Sequence, residues 1–484
     1  MSAPSEPQQR TLDDADAEVV AAQEVTFDVE TDVLVAGGGG CGLVAALAAC
    51  ENDDLTVTLL EKSDEVGGNA ALSTGMIPAA GTRLQREAGI EETPADMARD
   101  ILAKNDHEAD EEMVRHLCEH SVDLVHWLVD DWEVTLHLVD DFKYPKHAEY
   151  RMHAPPGRNG ENLVAELEAC IEAQDNTELL TNTPVMKLVA ENGGVAGVVA
   201  GAVREEVIRA GTVILATDGF AGNREMVRTH CEDDIERALY YGADGNTGDG
   251  IRWGAELGGE LACMDAYQGH ATVVNQTGAL STYAVVMNGG ILVNEDGERF
   301  GDESAGYSAF AVDIIRQPGS VAYEIFDERI FERLEGEFDD FDRAVDLGSY
   351  ERADTVPDLA EKLGCVPEAT AAAVESYNAA VEAGEPDDVG RTDGRHTLVL
   401  PYCGAKVTGS LFHTQGGLVV DEHGRVQRGD GSVVGDLYAG GGCAVGISGH
   451  GADGYLSGNG LTTALGLGRL AGIHARESLS NDAE

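Results

Sequence analysis

The sequence predicts an α/β fold: a parallel-sheet domain begun near the N-terminus and completed by the C-terminal segment, with an α+β cap inserted between its halves. Three observations predict it. The apolar run Asp32-Val33-Leu34-Val35-Ala36 passes through four consecutive glycines into the Ala/Leu-rich stretch Gly42–Cys50, and a second apolar run comes at Thr56–Glu61. Together these read as strand, tight turn, helix and parallel strand. From about Met264 to Lys406 the glycine-and-strand texture gives way to an acidic, helix-rich segment. Glycine-rich runs then return at Gly435–Gly442 and Ser457–Thr462, as a domain completed late in the chain requires.

Residues 1–28 read as a disordered acidic tail and 29–263 as the first part of the large domain. Within that part, Thr93–Val129 carries apolar residues at Met97, Ile101, Val114, Leu117, Leu124 and Leu128, the texture of an appended helical subdomain. Glu178–Ala190 and Gly194–Val207 alternate as strands of a hairpin, and Gly211–Ala216 is a short buried strand ending in Thr217-Asp218-Gly219. Residues 264–406 form the cap, with helices at Arg329–Arg352 and Leu359–Ala383 and a polar break at Gly384–Arg395. Residues 407–476 complete the large domain, and 477–484 are a second tail.

Lys and Arg number 32 against 88 Asp and Glu, a formal net charge of −56 over 484 residues. That charge excludes nucleic acid and anionic membranes as partners, while 43% hydrophobic residues are enough for an ordinary core. Only seven of the cations are Lys, and the acid excess reads as a surface kept hydrated in concentrated salt, so a halophilic protein is expected. The nine cysteines are scattered without a CxxC pair, which gives neither a disulfide framework nor a metal site and fits a reducing cytoplasm. The paired acids Asp130-Asp131, Asp140-Asp141 and Asp339-Asp340 read as solvated faces. The N-terminus lacks the basic start and apolar stretch of a signal peptide, and glycines interrupt the longest apolar run, Val33–Cys50, so no membrane insertion is expected.

Gly37, Gly39 and Gly42 have the GxGxxG spacing between strand and helix, with Gly40 in the same turn. Glycines there permit the tight turn, let a pyrophosphate approach the helix N-terminus, and let helix pack on strand. Glu61 ends the second strand where a carboxylate hydrogen-bonds a ribose, and its charge disfavours a 2′-phosphate. The spacing alone does not separate a nicotinamide from a flavin dinucleotide.

The residues beyond it separate them. Glu61-Lys62, the run from Gly67-Gly68-Asn69 through Ser73 to Gly75, the Ala216–Gly219 turn, Asn246–Gly250 and Leu437–Gly442 resemble, in order, the flavoprotein subunits of fumarate reductase and succinate dehydrogenase, over about residues 30–476. The resemblance implies a Rossmann-type FAD-binding domain completed by the C-terminus under a mobile cap. Beside the glycine turn and Glu61, it implies FAD contacts at Lys62, Gly67, Gly68, Asn69, Ser73, Gly75, Val185, Thr217, Asp218, Gly219 and Asp249. It adds His413, Gly441, Gly442, Gly460 and Leu461 from the C-terminal half, His413 through its backbone. Membrane-bound members attach FAD through a histidine just after the Gly-Gly pair; residues 69–75 contain none, so non-covalent FAD is expected.

The family's dicarboxylate enzymes carry guanidinium groups and histidines because a dianion needs fork-shaped donors and fixed positive charge. Here Gln268-Gly269-His270-Ala271-Thr272 keeps the cap histidine, and Thr282 matches the substrate threonine. Tyr283 and Val286 stand where the family's proton path has glutamate and arginine. Tyr307, after Arg299-Phe300-Gly301-Asp302-Glu303, stands where a catalytic arginine belongs; Phe412 replaces a histidine and Tyr455 an arginine. Such a pocket suits an uncharged, largely apolar ketone or enone. Tyr307 and Tyr455 match the two tyrosines of the 3-ketosteroid dehydrogenase branch, although that branch has YPGPG where this chain has Tyr455-Leu456-Ser457-Gly458-Asn459. The branch implies Tyr307 as base and Tyr455 as the group that polarises the ketone. Asn459 joins His270, Thr282 and Phe412 on the substrate side, with His270 open between substrate ligand and buried structural histidine.

The chemistry is coherent on the residues alone. Dehydrogenation beside a carbonyl needs loss of an α-proton, donors for the oxygen on which charge gathers, and hydride transfer to the flavin. A phenol with an ordinary pKa of about 10 is a weak base unless a neighbour lowers it, a role open to Tyr283. The expected function is an FAD-dependent oxidoreductase acting on CH–CH groups, which introduces or removes a C=C bond conjugated to a carbonyl. The alternatives are an ene-reductase of a small unsaturated acid and an electron-carrying flavoprotein with no catalytic pocket. Direction and electron acceptor stay open.

Overall fold

The computed structural model describes residues 18–52 and 54–482. Its large sheet runs in the order Val19–Ala21, Val185–Glu191, Gly194–Ala200, Val433–Ala439, Glu206–Leu215, Val29–Ala36, Val57–Leu60, Thr177–Leu180. The four strands Glu206–Leu215, Val29–Ala36, Val57–Leu60 and Thr177–Leu180 pair in parallel, and Val433–Ala439 joins Glu206–Leu215 in parallel from the far end of the chain. Covered on both faces, these strands read as continuous apolar runs: Val33, Leu34 and Val35 are wholly buried.

The helix Gly40–Cys50 is buried along its whole length, because the final helix, Asn459–Asp482, lies across it. A Cβ on Gly472 would stand 2.3 Å from the Ala45 carbonyl oxygen and one on Gly468 2.4 Å from that of Cys41, so the two backbones touch. That contact brings the N-terminal ends of both helices to one cleft.

The ends of the chain differ from expectation. Of the tail expected over 1–28, residues 1–17 lie outside the described residues, whereas Val19–Ala21 pairs in parallel with Val185–Glu191 at the edge of the sheet. The tail expected from 477 continues the last helix to Asp482.

The helical subdomain is two helices, Pro94–Lys104 and Glu111–Asp130, each opened by a side-chain cap, Thr93 and Asp110. They are separated where Asp106 and His107 take positive φ.

The cap is built around a six-stranded sheet in which Tyr402–Thr414 pairs with Val321–Asp327, Tyr267–Val274, Glu351–Ala353 and Leu239–Tyr240. It reaches beyond residues 264–406 at both ends, because one 13-residue strand starts in the cap and ends in the cleft. The helix expected at Arg329–Arg352 is Glu328–Leu334, Asp339–Asp346 and then strand. In the polar break, Arg391 is fully buried and reaches the Glu303 carboxylate at 3.3 Å, which Arg299 also binds, at 2.6 Å. These pairs fix the turn that precedes Tyr307. Among the described residues no helix is long and apolar enough to cross a membrane.

Candidate active site

A cleft runs between the large domain and the cap, with 1910 Å³ of atom-free space counting its open mouth. One end is backbone and ion pairs. Gly37, Gly39 and Gly40 line it with Gly67 and Gly68, facing Gly441 and Gly442. Glu61 Oε2 accepts a hydrogen bond from the Gly38 amide at 2.7 Å, and Lys62 Nζ meets Asp249 Oδ2 at 2.8 Å. Asn69 donates to Asp218 Oδ2 at 2.7 Å and accepts from the Ala243 amide at 2.8 Å, stitching three separate motifs together.

The residues at this end fit an FAD. A Cβ on Gly39 would meet nothing nearer than the Gly67 carbonyl oxygen at 3.8 Å, and one on Gly68 only the Gly39 Cα at 3.9 Å. The glycines therefore leave open space over the start of Gly40–Cys50, where no side chain caps the helix. Ser73, Val185, Thr217, Gly460 and Leu461 also line the cleft.

The other end is aromatic. Tyr241, Phe412, His270 and Tyr307 form a column of stacked rings, with centroids 4.9, 5.1 and 4.7 Å apart in turn. Tyr144 meets Tyr307 edge-on at 6.0 Å, and Tyr455 stands 6.0 Å from it on another side. The Gly460 amide donates to the Tyr455 hydroxyl oxygen at 3.4 Å. Burial, reinforced by the Tyr455 and Tyr144 hydroxyls, pushes Tyr307 well above the usual tyrosine range. Burial likewise lifts Tyr455 to about 12 and drops His270 to about 3. Among the described residues that line the cleft, the one Lys or Arg is Lys62, at the far end and paired with Asp249.

Several expected site residues stand behind the cleft instead of lining it. Tyr283 donates its hydroxyl to the Glu303 carbonyl oxygen at 2.6 Å, so it does not lower the pKa of Tyr307 as the sequence suggested. Thr282 Oγ1 accepts from the Ala284 amide at the start of a helical turn. Asn459 donates to Ser448 Oγ at 3.0 Å; Ser448 in turn donates to Gln415 Oε1, and Gln415 contacts the ring of His413. Gly42, Gly75 and Gly219 are packing glycines: added Cβ atoms would stand 1.8 Å from Gly37 O, 2.9 Å from Pro155 Cγ and 2.0 Å from Thr414 Oγ1. Sequence reasoning leaves Tyr241 and Gln268 off the site and names Tyr144 as a candidate lining of the cap that it cannot place. Gln268 was legible, standing in the same motif as His270, whereas Tyr144 and Tyr241 belong to no motif and reach the cleft only through folding.

A parallel sheet with a glycine turn at one end of the cleft and a ring-lined cap at the other defines the class: a flavin-dinucleotide oxidoreductase with its substrate pocket under a cap. A family model described as an FAD binding domain matches residues 32–461. The fumarate reductase (cytochrome) of Shewanella frigidimarina is 31% identical over 449 residues, 92% of this chain and 76% of that protein. The open conformation of a flavocytochrome c3 fumarate reductase superposes with a TM-score of 0.78 at 29% identity, covering 94% of this chain and 80% of that one. The 3-ketosteroid-Δ4-(5α)-dehydrogenase of Rhodococcus jostii, solved with 4-androstene-3,17-dione, gives 0.73 at 27% identity, covering 94% and 99%. The chain belongs to the fumarate reductase/succinate dehydrogenase flavoprotein family and is an FAD-dependent oxidoreductase acting on CH–CH groups.

Proposed function

We propose that this protein reduces a C=C bond conjugated to a carbonyl, in a substrate whose reacting end is neutral and apolar. The observation that carries the direction is the likeness to a fumarate reductase. The Tyr307 hydroxyl, ringed by Tyr144 and Tyr455, keeps its proton in the closed site, as the acid of such a reduction must, although the same burial makes it a weaker acid than a free phenol. Among the described residues no Lys or Arg lines the aromatic end, which counts against a small dicarboxylate as the molecule reduced there.

FAD, once bound and reduced by an electron donor, would supply the hydride that reaches the β-carbon. The residues do the rest. Tyr455, whose oxygen accepts from the Gly460 amide, keeps its own proton to donate to the substrate carbonyl, drawing charge onto that oxygen. Tyr307 gives its proton to the α-carbon, and solvent restores it. The ring column Tyr241–Phe412–His270–Tyr307 supplies a flat wall for the conjugated system and excludes water. His270, kept neutral by burial, acts through its face and not its charge.

The test is anaerobic. Dithionite-reduced holoenzyme mixed with cyclohex-2-enone or a 3-ketosteroid enone should regain oxidised-flavin absorbance, and oxidised holoenzyme mixed with the saturated ketone should bleach more slowly. Faster bleaching by the saturated ketone would reverse the direction. FAD is held non-covalently on this reading, since no histidine lies in residues 69–75, and acid precipitation should leave the flavin in the supernatant. Nine cysteines, all unpaired, fit a reducing cytoplasm. The acid excess fits folding in concentrated salt, and the melting temperature should rise with KCl.

A further inference from the structure

A second cavity, with about 1020 Å³ of atom-free space counting its open mouth, lies behind Tyr144, and Tyr144 lines both cavities. The Tyr144 ring stands 6.0 Å from that of Tyr307 on one side and 6.4 Å from that of His147 on the other. The two spaces are thus one ring's width apart.

The walls of the second cavity carry several cations. Lys143, Lys146 and Arg333 line it. Two of the seven lysines of a chain with net charge −56 therefore sit within four residues of each other. A third, Lys104, lies close enough to Lys146 for the two charges to repel. Three carboxylates share the lining, but Asp100 is paired with Arg151 and Asp141 with Arg158, and the cations rest on neutral groups, Lys143 donating to the Ala148 carbonyl at 2.8 Å and Arg333 to the Asp141 carbonyl at 2.7 Å. The buried His147 also lines it, and neither ring nitrogen makes a hydrogen bond of ordinary length, the Ser457 carbonyl being the polar group beside it. Three cations in one cavity wall of so acidic a chain make a place for an anionic group.

We propose that this cavity binds an anionic group, carboxylate or phosphate, carried at the far end of the substrate whose conjugated carbonyl reacts in the aromatic cleft. This rests on the reduction proposed above and names the substrate class: an amphiphile with a neutral enone head and an anionic tail. It reconciles a reaction site without guanidinium groups with a basic cavity beside it. Physical need points the same way. A surface carrying −56 repels an anion at long range, so a local knot of cations at the port is what lets one approach.

The experiment uses the holoenzyme and three 4-alkyl cyclohex-2-enones that differ only at the chain end: a carboxylate, a phosphate and a methyl ester. Lys143 and Lys146 are exposed, so the double variant Lys143→Gln/Lys146→Gln should fold and bind FAD as the parent does. KM for the two anionic compounds should rise about tenfold in the variant, with kcat unchanged and the ester unaffected. The larger of the two shifts identifies carboxylate or phosphate as the group served. An equal shift for ester and acids, or no shift for any, overturns the proposal. Dissociation constants from perturbation of the oxidised flavin spectrum separate the two ideas: if no compound is turned over, the proposed reduction fails, while selective weakening of anion binding still upholds the cavity.

Discussion

The two ends of the cleft are built on opposite chemistry. At the dinucleotide end the work is done by what is missing: Gly39 and Gly68 hold open space over a helix start, while the charged side chains are tied down, Glu61 to an amide and Lys62 to Asp249. At the aromatic end the space is filled by rings, and burial drives each titratable group toward its neutral form, tyrosines upward and His270 downward. A phosphate-bearing cofactor needs donors and room; an enone needs a dry wall and one proton in waiting. Mutation at the first end should therefore remove the cofactor, and at the second only the chemistry.

Gly39→Val is expected to have the largest effect. An added Cβ there meets no backbone nearer than 3.8 Å, so the protein should fold, yet the side chain fills the space kept for the pyrophosphate. Flavin absorbance per mole of purified protein should fall to background; a yellow Gly39→Val protein would break the distinction between the two ends. Tyr307→Phe should do the reverse, with full flavin content and a kcat lower by about a thousandfold. Tyr455→Phe removes one of the groups that polarise the carbonyl, and should cost about a hundredfold in kcat with flavin retained. A Tyr455→Phe loss larger than that of Tyr307→Phe would exchange their roles.

The same contrast explains what the sequence made legible. The dinucleotide end is written in contiguous motifs, since a turn that must be glycine is glycine in every reading, and Gly37, Gly39, Glu61, Gly67 and Gly68 all line the cleft. The aromatic end is assembled from six separated stretches. Tyr307, Tyr455, His270 and Phe412 were found because each stands inside a recognisable motif, whereas Tyr241 and Tyr144 arrive from segments with no pattern of their own. Tyr283 was misread for a related reason. Position in sequence puts it beside the chemistry, but direction depends on the Glu303 turn, and its hydroxyl is spent on that turn's carbonyl. The cap's limits were misjudged because composition changes at 264 and 406, while the strand that organises the cap runs from Tyr402 to Thr414 without regard to composition.

The smallest expected effect concerns a carboxyl on the aromatic side of that contrast. Glu324 is fully buried on the strand Val321–Asp327 and accepts from Ser281 Oγ at 2.7 Å, and among the described residues it forms no ion pair. Burial lifts its pKa from 4.5 to about 8, whereas Asp249, at the other end, is tied to Lys62. A carboxyl raised in the folded state contributes full stability below its unfolded pKa. That contribution drains away as pH climbs from about 4.5 toward 8, where the unfolded chain ionises and the folded one resists. Glu324→Gln is neutral at every pH and escapes this loss. Measured by urea midpoint in high salt, the variant should gain on the parent steadily between pH 5 and pH 8 and hold a constant lead above that window. A difference that does not change with pH would mean that Glu324 is already ionised inside the fold, and that the cap behind the aromatic wall is wetter than its packing implies.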